Sequence, residues 1–159
     1  MLPALIHLDG APWQVLPEGI HSADLDSIRS RFACNPWRRQ LFGGFWEASA
    51  NLAMSGCRSL YLDGSFVSDK PKPNDYDACW NPHGVDRRKL DPAFFDLRNR
   101  RAAQKEKFFG EFFPSTTMAD AQERNFVDFF QLEKFTGKPK GIVLIDLTAY
   151  DMLKPQVKP

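Results

Sequence analysis

Three aspartates have the type and spacing to act together in metal-dependent chemistry. Asp75 and Asp77 are two residues apart in a segment that alternates polar and apolar side chains. Side chains at positions i and i+2 share one face of a strand, so the two carboxylates are expected to project together, roughly 6.5–7 Å apart along the chain. Like charges on one face repel unless a cation lies between them, and Mg²⁺ prefers one or two carboxylates together with substrate phosphates. The pair therefore predicts a divalent metal site.

Asp146 is the third candidate, because it interrupts the apolar segment 141–147. An ionised carboxylate among apolar neighbours needs a partner. If this segment forms a strand beside that of Asp75 and Asp77, the three aspartates make one cluster able to hold two ions about 3.5–4 Å apart. Asp146 would then bind the catalytic ion and help to deprotonate the attacking group. Taken alone, Asp146 also fits a strand-end cap or an ion pair with a buried arginine.

A glycine-serine pair, Gly64-Ser65, follows the apolar segment 59–62 and predicts a phosphate site. Glycine lets phosphate oxygens approach the backbone closely, and successive backbone N–H groups in a turn bind anions. The serine hydroxyl adds a donor, and Lys70 and Lys72 in the following loop are candidates to neutralise phosphate charge. The same stretch, with Asp63-Gly64 between two apolar segments, also fits a tight β-hairpin.

The joint pattern resembles the polymerase-β-like nucleotidyltransferase superfamily. That family's signature is Gly-Ser, a gap, and then Asp-hydrophobic-Asp/Glu-hydrophobic. Here nine residues separate Gly64-Ser65 from Asp75-Tyr76-Asp77-Ala78, and a distant strand carries Asp146. The chain more closely resembles small bacterial and phage proteins of that superfamily. The segments that carry this second resemblance are 16–21, 63–67 and 140–147.

The resemblance implies roles for these residues. Asp75 and Asp77 would bind both metal ions, Mg²⁺ or Mn²⁺, Asp146 would bind the catalytic ion, and Gly64 and Ser65 would hold a nucleoside triphosphate. A nucleoside monophosphate would pass to an acceptor hydroxyl on a small molecule, a protein or an RNA. Small members often occur in toxin–antitoxin-type pairs, so a partner protein is also expected. Two residues depart from the family pattern, namely Phe66 after the Gly-Ser pair and the acidic Asp63 before it.

Two other functions fit the same residues. The first is a catalytically silent nucleotidyltransferase-fold interaction module, such as an antitoxin or a nucleotide sensor. The second is a metal-dependent phosphohydrolase or nuclease that uses the same acidic cluster. An intact set of three aspartates favours catalysis over the silent module, because a degenerate site would tend to lose a ligand.

The elements that must position these residues predict an α/β (α+β) fold, a small mixed β-sheet with helices packed on it, and the resemblance implies that this fold is nucleotidyltransferase-like. Ser22 is a candidate cap for a first helix, which Asn35-Pro36 would end, and the apolar stripe of 38–55 predicts a second. Asp91-Pro92 should open a third helix that runs to about 107. Thr116 or Thr117 would cap a fourth through about 132, although 126–132 also fits a strand. Strands are expected at 59–62, 75–80, 108–113 and 141–147, the last of them central in the sheet.

Composition indicates one domain, 1–159, with an N-terminal arm or hairpin at 1–21 and a tail at 151–159. The chain has 159 residues, of which 43% are hydrophobic and 14 are phenylalanine, which supplies enough apolar side chain for a core without disulfides. Its net charge of +1 gives no chain-wide attraction to nucleic acid or membrane. No cysteine–histidine zinc spacing, secretory signal or apolar run of membrane-spanning length is present, so a cytoplasmic location is expected.

Overall fold

A computed structural model describes residues 1–150 and contains a mixed five-stranded sheet. The strands lie in the order β1-β5-β2-β3-β4 across the sheet, and they span Gly19–Ser22 (β1), Ser59–Asp63 (β2), Tyr76–Trp80 (β3), Gly110–Pro114 (β4) and Gly141–Asp146 (β5). β5 pairs in parallel with β1, and β3 in parallel with β4, whereas β2 is antiparallel to both of its neighbours. The predicted α+β fold with a mixed sheet is confirmed, and β5 lies inside the sheet as expected.

Four α-helices connect the strands, and three of them begin at side-chain caps. The helices span Leu25–Phe32 (α1), Pro36–Met54 (α2), Arg98–Phe108 (α3) and Phe126–Phe130 (α4). The caps are Asp24, Asn35 and Asn125, and each side chain accepts a hydrogen bond from a backbone N–H in the first turn. Short 3₁₀ turns at Ser65–Val67, Pro92–Phe95 and Leu147–Ala149 complete the elements.

The two faces of the sheet have different covers. Alternate strand residues point into the main core, where they pack with α1, α2 and α3; these include Leu60, Leu62, Tyr76, Ala78, Val143 and Ile145. The intervening residues Cys79 and Ile142 point to the second face, where they pack with Phe130 of α4. This period-two alternation decides which face each polar strand residue takes.

The structure corrects two predicted boundaries and adds one strand. Ser22 does not cap α1, because it is the last residue of β1 and the carboxylate of Asp24 takes that role. Asn35-Pro36 begins α2 rather than ending the first helix, since the Asn35 side chain is the cap and proline suits the first helical position. The segment of β1 was not predicted as a strand, because its apolar content is limited to Ile20.

The stretch from 91 to 132 is less helical than predicted. The expected helix from Asp91-Pro92 divides into the 3₁₀ turn Pro92–Phe95 and α3, whose residues 99–101 have left-handed backbone angles with φ between 51° and 60°. The expected helix from Thr116 or Thr117 reduces to α4, whose cap is Asn125. The strand alternative for 126–132 is wrong, although Leu132 forms an isolated bridge with Pro139.

The N-terminal segment forms a small hairpin against the sheet. Ile6 and Val15 exchange two backbone hydrogen bonds of 2.7 and 2.9 Å, and Gly10 lies between them with φ +90°. The hairpin alternative for 1–21 thus describes 6–15, while Gly19–Ser22 joins the sheet. The predicted tail at 151–159 lies outside the described residues.

A buried arginine fixes the loop that follows β2. Arg38 is 2% exposed and donates hydrogen bonds to backbone carbonyl oxygens of this loop and of the last residue of α1. Its acceptors are Phe32, Ser65, Phe66, Ser68 and Lys70, at 2.6–3.5 Å. Burial lowers the pKa of this guanidinium, while Cys34 and Asp69 favour its charged form. One side chain of α2 therefore fixes the path of the chain just after Gly64-Ser65.

Arg38→Lys is expected to destabilise the protein by about 2–3 kcal/mol, because an ammonium replaces a five-donor planar fork and leaves buried carbonyls without donors. Urea denaturation of the purified variant measures the change. Arg39→Lys is the matched control, since Arg39 is the exposed neighbour on the same helix. Equal stability of the two variants would contradict the role given to Arg38.

Candidate functional site

A row of carboxylates crosses three adjacent strands at one end of the sheet. Asp77 on β3 is directly opposite Asp63 on β2 and directly opposite Glu111 on β4. We call Asp63, Asp77 and Glu111 the carboxylate row. Each of them alternates with core residues along its strand, so all three lie on the second face of the sheet. Cys79 and Phe113, which pack against α4, lie on the same face two residues further along β3 and β4. The register of the sheet thus brings together three acids that are far apart in sequence.

Asp75 adds a fourth carboxylate immediately before β3. It is half-buried, and burial raises its pKa, with the negative charge of Glu111 acting in the same direction. The charges of Lys105, Lys134 and Lys70 lower that pKa in turn. Asp75 therefore belongs electrostatically to the same cluster as the row.

Five basic side chains act on these acids, through an ion pair or through their charge, and we call them the cation ring: Lys70, Arg101, Lys105, Lys134 and Lys140. Lys105 Nζ is 2.8 Å from Glu111 Oε1, and Arg101 Nε is 3.4 Å from Glu111 Oε2. Lys140 forms an ion pair with Asp63, and both side chains are largely buried. The two outer carboxylates of the row are thus paired with cations.

Asp77, at the centre of the row, has the most perturbed acidity of the cluster. Burial raises its pKa to about 7, with the negative charges of Asp63, Asp75 and Glu111 acting in the same direction and Lys140 opposing them. The ionised form is disfavoured because it is partly desolvated and faces three like charges. A divalent cation would reverse that balance, because it favours the ionised carboxylate.

The glycine-serine turn lies directly against Asp77. Gly64 has φ +89° and ψ −177°, a backbone conformation that is essentially restricted to glycine. A Cβ at this position would lie 3.0 Å from the Asp77 backbone nitrogen and 3.2 Å from its Oδ2. Ser65 begins the 3₁₀ turn Ser65–Val67, whose following loop Arg38 holds in place. The turn and the central carboxylate are therefore in contact.

Gly64→Ala is expected to destabilise the protein by about 1–3 kcal/mol and to displace Asp77. Alanine disfavours the backbone conformation of this position, and its methyl group would lie too close to the Asp77 backbone. Thermal unfolding measures the loss. Gly43→Ala is the matched control. Gly43 lies inside α2 with no atom within 4 Å of its would-be Cβ, so this change should be neutral or stabilising by about 0.5–1 kcal/mol. A Gly64→Ala protein as stable as the wild type would contradict the packing described here.

The structure does not bring Asp146 to this cluster. In the β2–β5 pairing Asp146 is opposite Ser59, whereas Asp63 of the row is four residues further along β2. At about 3.3 Å per residue, Asp146 lies roughly 13 Å along the sheet from the row. The expectation that Asp75, Asp77 and Asp146 converge is therefore wrong.

Asp146 instead ends its strand as a local cap. It is exposed, and its Oδ1 accepts hydrogen bonds from the Thr148 backbone N–H at 2.9 Å and from the Thr148 hydroxyl at 2.6 Å. These two bonds lower its pKa. The strand-end cap that the sequence also allowed is the observed role.

The two lysines predicted to meet phosphate have different surroundings. Lys70 is half-buried, and its charge is among those that lower the pKa of Asp75. Lys72 is exposed, with its ammonium 4.9 Å from the centre of the Trp37 ring. Lys70 therefore acts electrostatically on Asp75, whereas the contact found for Lys72 is with an aromatic ring.

Sequence reasoning missed Glu111 and Lys140 and gave Asp63 no positive role. The signal for Glu111 was present, because it interrupts the aromatic strand 108–113 as Asp146 interrupts the apolar strand 141–147. Both strands neighbour the 59–80 hairpin, and only the register tells which acid reaches Asp77. Residue types alone could not separate the two.

The donor atoms of the cluster are not arranged around a ready-made ion position. Within residues 1–150, no three histidine, cysteine or acidic side chains are grouped closely enough to hold one metal ion. The pairing of Glu111 with Lys105 and Arg101, and of Asp63 with Lys140, agrees with that finding. A metal ion would have to compete with these cations for the carboxylates.

Comparison with known proteins identifies a family. The model of DUF6932, a family of unknown function, matches residues 9–146, which include the whole carboxylate row. The chain belongs to the DUF6932 family. No curated protein and no solved structure matches this DUF6932 chain. Among the helices of residues 1–150, none has the length and apolar character needed to cross a membrane.

Proposed function

We propose that this DUF6932 chain is a metal-dependent nucleotidyltransferase. It would transfer a nucleoside monophosphate from a nucleoside triphosphate to a hydroxyl of a small molecule, a protein or an RNA. The observation that supports this most is Asp77, flanked by Asp63 and Glu111 on the neighbouring strands and touched by the Gly64-Ser65 turn. A central acid whose ionised form is disfavoured, beside a glycine turn that admits phosphate oxygens, fits metal-assisted phosphoryl chemistry.

The metal-binding role proposed for Asp146 passes to Glu111. Asp75, Asp77 and Glu111 are oxygen donors of the kind that Mg²⁺ and Mn²⁺ prefer. Their mutual repulsion, evident in the raised pKa of Asp75 and Asp77, is what a divalent ion would relieve. When bound, the ion would polarise the reacting phosphate and neutralise charge on the departing pyrophosphate.

The remaining residues would hold the triphosphate. Backbone N–H groups of the turn after Gly64 and the Ser65 hydroxyl donate to phosphate oxygens. Lys70 and Lys105 supply positive charge beside Asp75. Lys140 compensates Asp63, so the acid that precedes Gly64 adds no unpaired charge next to the phosphates. Positioning and charge neutralisation carry most of the catalysis in such reactions.

A second candidate is the catalytically silent interaction module, and the ion pairs of the site favour it. Lys105 and Arg101 already neutralise Glu111, and Lys140 already neutralises Asp63. If these cations are never released, the acids serve the fold rather than a metal ion. The partner would then bind elsewhere on the surface.

Incubation with α-labelled nucleoside triphosphates, Mg²⁺ and cell extract separates these functions. Label that becomes covalently attached to protein or RNA, and that Asp77→Ala abolishes, supports the transferase. Protease and nuclease digestion of the labelled product then identifies the acceptor class. Triphosphate cleavage without transfer points to a hydrolase. Silence of the wild type with every triphosphate, together with partner binding, supports the interaction module and overturns the proposal.

A further inference from the structure

An exposed phenylalanine, Phe135, lies on a turn whose backbone is fixed by a buried carboxylate. Its side chain is 63% exposed. The Glu133 carboxylate is buried and accepts hydrogen bonds from the backbone N–H groups of Phe135 at 3.0 Å and of Thr136 at 2.8 Å. Backbone bonds from Gly137 to Glu133 and from Glu133 to Lys138 close the turn. A buried carboxylate thus fixes a backbone that presents a large apolar ring to solvent.

This turn lies at the carboxylate end of the sheet. Its ends are joined by the bridge between Leu132 and Pro139. Lys140 follows directly, and its ammonium pairs with Asp63 of the row. Lys134, the neighbour of Phe135, has its Nζ 5.3 Å from the centre of the Phe135 ring. The charge of Lys134 is also among those that act on Asp75. The turn that carries the exposed ring therefore leads directly to Lys140 and the carboxylate row, and its Lys134 acts electrostatically on Asp75.

We propose that Phe135 is the surface on which the base of the bound nucleoside triphosphate stacks. This inference rests on the proposed function, because it requires the triphosphate to lie at the carboxylate row. Every nucleobase has a flat aromatic face, and stacking on an exposed aromatic side chain tolerates any base. The backbone of the turn that Glu133 holds has little conformational freedom left to lose on binding. Phe135 would therefore contribute affinity for the nucleoside without choosing among bases.

The test compares two probes that share the phosphates and differ in the base. Binding of ATP and of inorganic tripolyphosphate is measured by calorimetry in the presence of Mg²⁺. Phe135→Ala is expected to weaken ATP binding about tenfold, within the range of base–aromatic stacking. Tripolyphosphate binding should stay unchanged. Phe135→Trp should keep ATP affinity at or above that of the wild type.

Phe95→Ala is the matched control. Phe95 is 40% exposed and also has a cation over its ring, with Arg87 Cζ at 4.7 Å, but its 3₁₀ turn packs on the opposite face of the sheet. It should bind both probes like the wild type.

Three outcomes would overturn the stacking role. These are unchanged ATP binding by Phe135→Ala, an equal loss of both probes in that variant, and a wild type that binds tripolyphosphate as tightly as ATP. A wild type that binds neither probe would remove the proposed function, and this inference with it.

Discussion

Asp77→Asn should abolish nucleotidyl transfer and at the same time stabilise the metal-free protein at pH 8. Asp77 has its pKa raised to about 7 by burial and by three neighbouring carboxylates, so its ionised form is unfavourable in the fold. Asparagine keeps the shape and removes the charge. The variant should gain up to about 4 kcal/mol of unfolding free energy at pH 8, since each unit of pKa shift corresponds to about 1.4 kcal/mol. Urea denaturation without metal and the label-transfer assay give the two readouts.

The pH dependence of this effect follows from linkage. The folded protein holds the Asp77 proton more tightly than the unfolded chain does. The stability that this proton contributes is therefore full below about pH 4 and is lost as pH rises through about 7. The wild type should lose unfolding free energy over this pH range relative to Asp77→Asn. Added Mg²⁺ should restore the lost stability of the wild type and should not stabilise Asp77→Asn. Parallel stability curves for the two proteins would contradict the electrostatic picture of the row.

Glu111→Gln should lower transfer by at least about 10³-fold, whereas Asp146→Asn should leave it within about twofold, because of these two acids only Glu111 lies opposite Asp77. The two variants are a matched pair, since each removes one charge from a strand acid. Label transfer under saturating Mg²⁺ and triphosphate measures the difference. Loss of transfer in Asp146→Asn, with Glu111→Gln active, would restore the set of aspartates inferred from sequence and refute the one proposed here.

Asp146→Asn also supplies a check on folding. It should cost little stability, because asparagine keeps an acceptor for the Thr148 backbone N–H and hydroxyl. Glu111→Gln should change stability modestly, because the amide oxygen can still accept from Lys105. Thermal unfolding of both variants therefore separates a catalytic loss from a folding defect.

Local sequence signals predicted much of the fold. The apolar stripe of α2 and the β-branched run of β5 each carry a period or a composition that leaves few alternatives. The alternation along 75–80 placed Tyr76 in the core and Asp77 on the other face. The segments that failed were short. β1 has four residues with one apolar side chain and owes its conformation to pairing with β5.

The site was less predictable, because it depends on the register of distant strands. Asp77 and Gly64 are close in sequence, and their contact follows from the pairing of β2 with β3. The third acid comes from a strand whose neighbours are set by the whole topology. Both 108–113 and 141–147 carry an acid, and β4 places its acid at the row while β5 places its acid at the far end. A one-strand ambiguity thus moved a proposed ligand by roughly 13 Å, at about 3.3 Å per residue.

A crystal of the protein soaked with Mn²⁺ and a non-hydrolysable nucleoside triphosphate tests the central claim most directly. We expect an anomalous peak within ligand distance, about 2.2 Å, of Asp77 and Glu111 oxygens, with phosphate density at the turn after Gly64. Lys105 should have moved away from Glu111. A peak at Asp146, or a carboxylate row that keeps its lysine partners while Mn²⁺ and nucleotide bind elsewhere, would contradict the account.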